Sequence, residues 1–333
     1  MGSLTATVAL QAAGLTSLES APAWALNILY AAVGLMVGLR VTRSSLRRLR
    51  GAVLPAILVP TVMIVSGLAL GLLYSGLTPA ASELRPDLIT AVLAITPGGF
   101  QEIAIAAEQL DAVLSVVVVS HVLRILTVLY TYPRIVETLS RVMGDSRTAP
   151  LRENAGGSSP EDYKEATGAL RWTVISLCAA LGGAGGFWSG IPAGTVVFAI
   201  LGAAAAKMVL GTDSATLPHS LRFVLQVGLG MTIGLQFSLE PLAQAGYLLL
   251  PLAVSLALLL AIAVATGLLI HRFTRTDLST SLWMSAPGGL MEVAVMADEM
   301  DVDTLPVLAV HTLRVLLIIA VQPSLVLVLA GLL

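Results

Sequence analysis

Long apolar runs alternate with short polar links along almost the whole chain. Trp24 to Leu39 is the first run, and it ends in a link carrying Arg40, Arg43, Arg47, Arg48 and Arg50. Ala52 to Tyr74 is the second, followed by the link Thr78 to Asp87. Leu88 to Leu110 is interrupted by Pro97, Gly98 and Gly99. At about 1.5 Å per residue, each of its halves reaches roughly half of a 30 Å hydrocarbon core. Val113 to Tyr130 is a full span, and a polar segment from Tyr132 to Gly168 follows. Beyond it lie Trp172 to Gly186, Ile191 to Leu210, Leu221 to Phe237, Tyr247 to Ile270, Ser281 to Met300 and Leu305 to Leu329. Ser281 to Met300 is broken in turn by Pro287, Gly288 and Gly289. The pattern predicts an all-α, polytopic integral membrane protein with about 8–10 transmembrane helices.

The two interrupted stretches are copies of one another. Pro97, Gly98, Gly99, Glu102, Asp111, His121, Arg124 and Pro133 recur as Pro287, Gly288, Gly289, Glu292, Asp301, His311, Arg314 and Pro323, each 190 positions on (287 − 97, 314 − 124). Ala104, Ala107, Val117, Leu123 and Leu126 also match, so 13 of the 37 positions from 97 to 133 are identical without a gap. Shared apolar composition supplies alanines and leucines, but not a glutamate, a histidine and an arginine in register. The chain is an internal duplication. The expected organisation is a first membrane repeat over 1–138, a polar linker over 139–170 and a second membrane repeat over 171–333.

Composition sets the solvent. With 56% hydrophobic and 11% charged residues over 333 positions, and a mean hydropathy of +0.91, the chain is far more apolar than a soluble domain. The lipid bilayer is its expected partner, and no basic surface suited to nucleic acid is present. A single cysteine, Cys178, excludes an intramolecular disulfide framework and reads as a small core residue. Residues 1–20 lack a signal-peptide pattern and are expected to be retained as a short half-helix.

Charge placement predicts topology. The arginine cluster after Trp24–Leu39 marks a cytoplasmic link. Its counterpart, Ser238 to Gly246, carries Glu240 and no basic residue, whereas Arg272 and Arg275 follow Ile270. The two repeats are therefore expected to be inverted, with the Pro-Gly-Gly segments folded as re-entrant hairpins. Broken helices that cross, with parallel repeats, are the alternative.

Irregular backbone at membrane depth is tolerated only where protein or a water-filled cavity surrounds it, so both breaks are expected to line a site. The half-helix after each break points its positive N-terminal end inward, an arrangement suited to anions. Glu102 and Glu292 sit in the first turn of those half-helices, either capping free N–H groups or serving as a proton or cation site. His121 and Arg124, with His311 and Arg314, share one face of the following span at i, i+3. Each arginine needs a partner: Glu102 or Glu292 in an internal salt bridge, or an anionic solute. Each histidine reads as a proton relay or as a hydrogen-bonding core residue. Asp111, Asp301, Glu108 and Asp298 are expected near water. Gln101, matched by Met291, would give the halves unequal roles, and Lys207, Arg222, His219 and His271 read as interface anchors.

The pair Thr96-Pro-Gly-Gly-Phe-Gln-Glu102 with His121-Val-Leu-Arg124, and Ala286-Pro-Gly-Gly-Leu-Met-Glu292 with His311-Thr-Leu-Arg314, resembles the AbrB family of bacterial integral membrane proteins. The resemblance runs from Trp24 onward. These proteins are often labelled ammonia monooxygenases or regulators and are grouped by fold with secondary transporters. The resemblance implies multi-pass insertion in the bacterial inner membrane. It also implies a pair of spans before Trp24, equivalent to Trp172–Leu210, which residues 1–20 are too short to supply.

The function expected from these residues is secondary active transport of a small, carboxylate-like anion by alternating access, coupled to H⁺ or Na⁺. No enzymatic activity, cofactor or metal is expected, and self-association is an additional possibility for partners. The substrate and ion site is assigned to Pro97, Gly98, Gly99, Gln101, Glu102, His121, Arg124, Pro287, Gly288, Gly289, Glu292, His311 and Arg314. A membrane-embedded sensor and, with less support, a metal-dependent oxygenase built on the two histidines and two glutamates are the alternatives.

Overall fold

The structure is a computed structural model. It describes residues 22–41, 43, 52–78, 86–143, 169–191, 193–212, 217–218, 220–221, 223–225, 227–228, 231, 245–274, 276–289, 293, 296–297, 300 and 302–332. Ten helices are described in full: α1 Ala23–Gly38, α2 Val53–Leu77, α3 Leu88–Ile95, α4 Phe100–Gln109, α5 Leu114–Met143, α6 Ala169–Trp188, α7 Gly194–Leu210, α8 Ala245–Phe273, α9 Leu278–Ser285 and α10 Thr304–Leu332. No strand occurs among the described residues. Five of these helices are long and apolar enough to cross a membrane, within α2, α5, α6, α8 and α10. On α2 the side chains Val53, Ile57, Val65 and Leu72 are exposed, while Val59, Met63 and Tyr74 are wholly buried. Exposed apolar faces of this kind are what hydrocarbon surroundings allow.

The helices form two groups. α1, α6 and α7 pack on one another, and α2, α3, α4, α5, α8, α9 and α10 make up the second group. The first group depends on residues without side chains. A Cβ at Gly186 of α6 would lie 2.2 Å from the carbonyl oxygen of Gly194, and one at Gly34 of α1 would lie 2.6 Å from Ala199 Cβ. Membrane helices have no water to expel from between them, so close backbone approach through small residues supplies their packing energy.

Lys207 of α7 belongs to this group and corrects an expectation. It is buried and donates from Nζ to the carbonyl oxygen of Leu39, just past the end of α1, rather than anchoring at an interface. A cation there meets the negative end of the α1 dipole and satisfies a carbonyl that the helix leaves open.

The duplication extends upstream of the breaks. Asp87 caps α3 by accepting from the Thr90 amide at 3.2 Å, and Asp277, 190 positions on, caps α9 by accepting from Thr280 at 2.8 Å. Gly71 of α2 crosses α3 at Val92, and Gly267 of α8 crosses α9 at Leu282. Val92 and Leu282 are partners at 190, whereas the glycines are 196 apart (267 − 71), so the copies differ by six residues between these spans.

Two other boundaries differ from expectation. α5 does not stop at Tyr130 but continues through Pro133 to Met143, taking in the start of the expected linker. Proline removes one backbone bond, but Tyr132 and Val136 on either side are wholly buried, and that burial holds the helix together. Residues 1–20, the remainder of the linker over 144–168, most of Leu221–Phe237 and residues 238–244 of the Ser238–Gly246 link lie outside the described residues, and Ala245 and Gly246 open α8.

Gly186 and Gly185 give a direct comparison on one helix, because a Cβ at Gly185 meets nothing within 4 Å. Gly186→Ala should lower stability by about 1–3 kcal/mol through overpacking. Gly185→Ala should be neutral or stabilising by up to about 1 kcal/mol. Thermal unfolding of both variants in detergent checks the contrast.

Candidate functional site at the Pro-Gly-Gly breaks

Each break begins where proline forbids helix. Pro97 restricts Thr96 to ψ 122°, and Pro287 restricts Ala286 to ψ 132°, so α3 ends at Ile95 and α9 at Ser285. The last carbonyls of a helix have no partner within it, and here they lie in the interior. Arg124 of α5 donates from Nη1 to the Thr96 carbonyl and from Nη2 to the Gly98 carbonyl at 3.1 Å. Arg314 of α10 does the same, from Nη1 to Ala286 at 2.6 Å and from Nη2 to Gly288 at 2.5 Å. Both arginines are buried. A planar fork that donates from both tips spans two carbonyls of one loop, and its charge meets the negative end of the half-helix dipole. Sequence reasoning set these arginines against a glutamate or a solute. The geometry assigns two of their N–H groups to the breaks themselves.

Glu102 deals with the other side of the first break. It is buried in the first turn of α4, and its side chain folds back so far that a Cβ on Gly99 would lie 2.0 Å from Oε2. The carboxylate therefore occupies the positive end of α4, where an anion would otherwise sit. Gly99 is required by that close approach. Gln101 stands in the same turn, with its side chain outside the described part. Pro97 and Gly98 are buried, as are Pro287 and Gly288, and Gly99 and Gly289 are half-buried. Glu292, with Met291, Asp298 and Asp301, lies outside the described residues.

The histidines are wholly buried but make different bonds. His121 faces the Val117 carbonyl of its own helix through Nδ1 at 3.0 Å, with its ring edge-to-face on Phe100 at 6.3 Å. His311 faces the Trp283 carbonyl of α9 through Nε2 at 2.9 Å.

The last helix of each repeat packs on the break of the other. From α10, Gln322 donates to the Thr96 hydroxyl, and Ile318 lies within 3.6 Å of a Cβ built on Gly98. From α5, Tyr132 donates to the Leu282 carbonyl at 2.8 Å and stacks edge-to-face on Trp283 at 5.4 Å. Val128 lies within 3.4 Å of a Cβ built on Gly288. Gln322 and Tyr132 are partners at 190, as are Ile318 and Val128. A narrow cleft results, lined by Arg124, Thr127 and Val128 of α5, Leu256, Leu259 and Leu260 of α8, and Pro287. One repeat supplies its arginine to this cleft and the other its proline.

Glu108 was expected near water. It is half-buried instead and accepts from the Tyr30 hydroxyl of α1, while neighbouring Gln109 accepts from the Ala193 amide at 2.6 Å. These bonds tie the end of α4 to the three-helix group. Asp111 is exposed, as expected. His271 bonds the Thr276 carbonyl at 3.0 Å in the last turn of α8, while His219 and Arg222 lie outside the described residues.

Fold and site together define a duplicated, all-helical, multi-pass membrane protein whose copies each carry one proline-glycine-glycine break. A family model described as "Transition state regulatory protein AbrB" matches it twice, over residues 1–140 and 85–330, and the chain belongs to that family. "Uncharacterized protein YhjN" of Bacillus subtilis (strain 168) is 27% identical over 246 residues, which is 72% of this chain. The chain spans 63% of that relative's length. No solved structure gives a significant match.

Arg314→Leu leaves the Ala286 and Gly288 carbonyls without their side-chain donor. Each such loss is worth about 1–3 kcal/mol, so the two together should lower the unfolding free energy in detergent by about 2–6 kcal/mol. Arg314→Lys, with one compact ammonium in place of a fork, should recover part of that.

Proposed function

We propose that the chain is a secondary active transporter that moves a small carboxylate-like anion across the bacterial inner membrane by alternating access, coupled to H⁺ or Na⁺. It moves its solute without changing it chemically. The observation that carries this reading is the reciprocal packing of α10 on the first break and α5 on the second, with Arg124 and Pro287 lining one cleft. Paired broken segments at a repeat interface are how inverted-repeat transporters build their sites, and the expected inversion of the two halves belongs to the same reading.

The geometry suggests how coupling works. An arriving carboxylate competes with Glu102 for the positive end of α4, and two negative charges cannot share it. Protonation of Glu102 removes the competitor, so anion and proton enter together. The remaining site residues of this reading are Pro97, Gly98, Gly99, Gln101, His121 and Arg124 with their counterparts Pro287, Gly288, Gly289, Glu292, His311 and Arg314, of which Arg124 and Pro287 line the cleft.

A second reading, ligand binding without translocation, draws on the regulatory name of the matching family model. Flux separates the two. Purified protein in liposomes, given a panel of monocarboxylates, dicarboxylates and amino acids under imposed proton and sodium gradients, should accumulate at least one of them. Glu102→Gln should abolish gradient-driven accumulation by tenfold or more while leaving solute exchange at equal concentrations. Absence of gradient-dependent uptake for the whole panel overturns the transport reading, and saturable binding without flux favours the sensor.

A further inference from the structure

The arginine bonds at the two breaks are the same, but the histidine bonds are not. A carbonyl oxygen only accepts hydrogen bonds, so the ring nitrogen that faces it carries the hydrogen. His121 therefore holds its hydrogen on Nδ1, facing Val117, and His311 holds its hydrogen on Nε2, facing Trp283. The other nitrogen of each ring, Nε2 of His121 and Nδ1 of His311, is buried without a hydrogen-bond partner among the described residues. Two residues at equivalent positions thus stand in opposite tautomers.

The partners make this difference mechanical. Trp283 lies in the last turn of α9, so His311 joins α10 to the half-helix before the second break. The equivalent carbonyl in the first repeat is that of Leu93, in the last turn of α3, 28 residues before His121 as Trp283 is 28 before His311. His121 instead bonds back along its own helix to Val117, whose counterpart beneath His311 is Val307. One repeat is latched and the other is unlatched.

We propose that His121 and His311 form a reciprocal latch in which each grips its preceding half-helix in turn. In the opposite-facing state, His121 donates from Nε2 to Leu93 and His311 donates from Nδ1 to Val307. As it lets go, each ring takes a proton from water on its lone-pair nitrogen and then releases the proton it held on the other, so no net charge moves. This inference rests on the alternating-access reading and adds to it the element that distinguishes the two states.

¹⁵N-histidine-labelled protein in lipid nanodiscs, with His219 and His271 replaced by alanine, leaves only the two rings, and the nitrogen shifts report each tautomer. Opposite tautomers are expected, and like tautomers overturn the latch. A second measurement uses amides that imitate one nitrogen each, asparagine for Nδ1 and glutamine for Nε2. With Cys178→Ser and Thr127→Cys in the cleft, H121N/H311Q should label with an impermeant thiol reagent from the same side as the parent. H121Q/H311N should label at least fivefold faster from the other side. Equal labelling of the two pairs overturns the latch even where flux persists. Reversal of labelling without flux of any solute retains the latch and removes the transport reading.

Discussion

The constraint on which the structure depends is that a helix broken in the buried interior of an apolar protein exposes carbonyls that need partners there. Each such group costs several kcal/mol when left unpaired in hydrocarbon. Arg124 and Arg314 meet that cost with the same two N–H groups at the same two positions of each loop. Burying a guanidinium is itself expensive, and it is tolerable here because the negative end of a half-helix and two carbonyl oxygens surround it. Glu102 does the complementary work at the positive end of α4. The first break is thus neutralised at both ends by residues of its own repeat, which makes a strongly polar loop compatible with an apolar chain.

A further consequence concerns what a ligand would find. Helix ends in a membrane are the natural ion sites, but here the α4 end is already filled by a side chain of the same helix. On the proposed reading, a solute anion would enter only by exchange with that carboxylate. In the proposed transport cycle, that exchange would tie anion binding to the charge state of Glu102, one residue serving as structural cap at one moment and coupling group at another.

Much of this was readable in advance, and the unread part has physical reasons. The apolar runs, the register of 190 and the ends of α3 and α9 follow from hydropathy and from proline and glycine chemistry. The targets of the arginines do not, because a side chain reaching a backbone carbonyl 28 residues away leaves no trace in residue identity. Residue types point a buried arginine toward a glutamate or a solute, and the two carbonyl bonds that each arginine makes come in addition to anything they suggest. Lys207 misleads for the same reason, its partner being the Leu39 carbonyl. Tyr132 and Gln322 were detectable, since both are polar, adjacent to the shared Pro133 and Pro323, and equivalent in register. Identity between the copies does not reveal them, because one is a phenol and the other an amide. The Asp87 and Asp277 caps stand in the same register, ten residues upstream of Pro97 and Pro287.

The way the halves interlock decides what motions remain. Had each repeat sealed its own break, either could open alone, and the membrane would leak whenever both did. Sealing is exchanged instead: α10, whose Arg314 grips the second break, also presses Ile318 and Gln322 on the first. α5, whose Arg124 grips the first break, presses Val128 and Tyr132 on the second. A shift of α10 that loosens the first break must therefore drag on the second, and the converse holds for α5. The seals also differ in chemistry, an amide on a threonine hydroxyl at one break and a phenol on a carbonyl at the other. Their strengths need not be equal, and a structure with two unequal, mechanically opposed seals has a reason to rest with one half gripped and the other released.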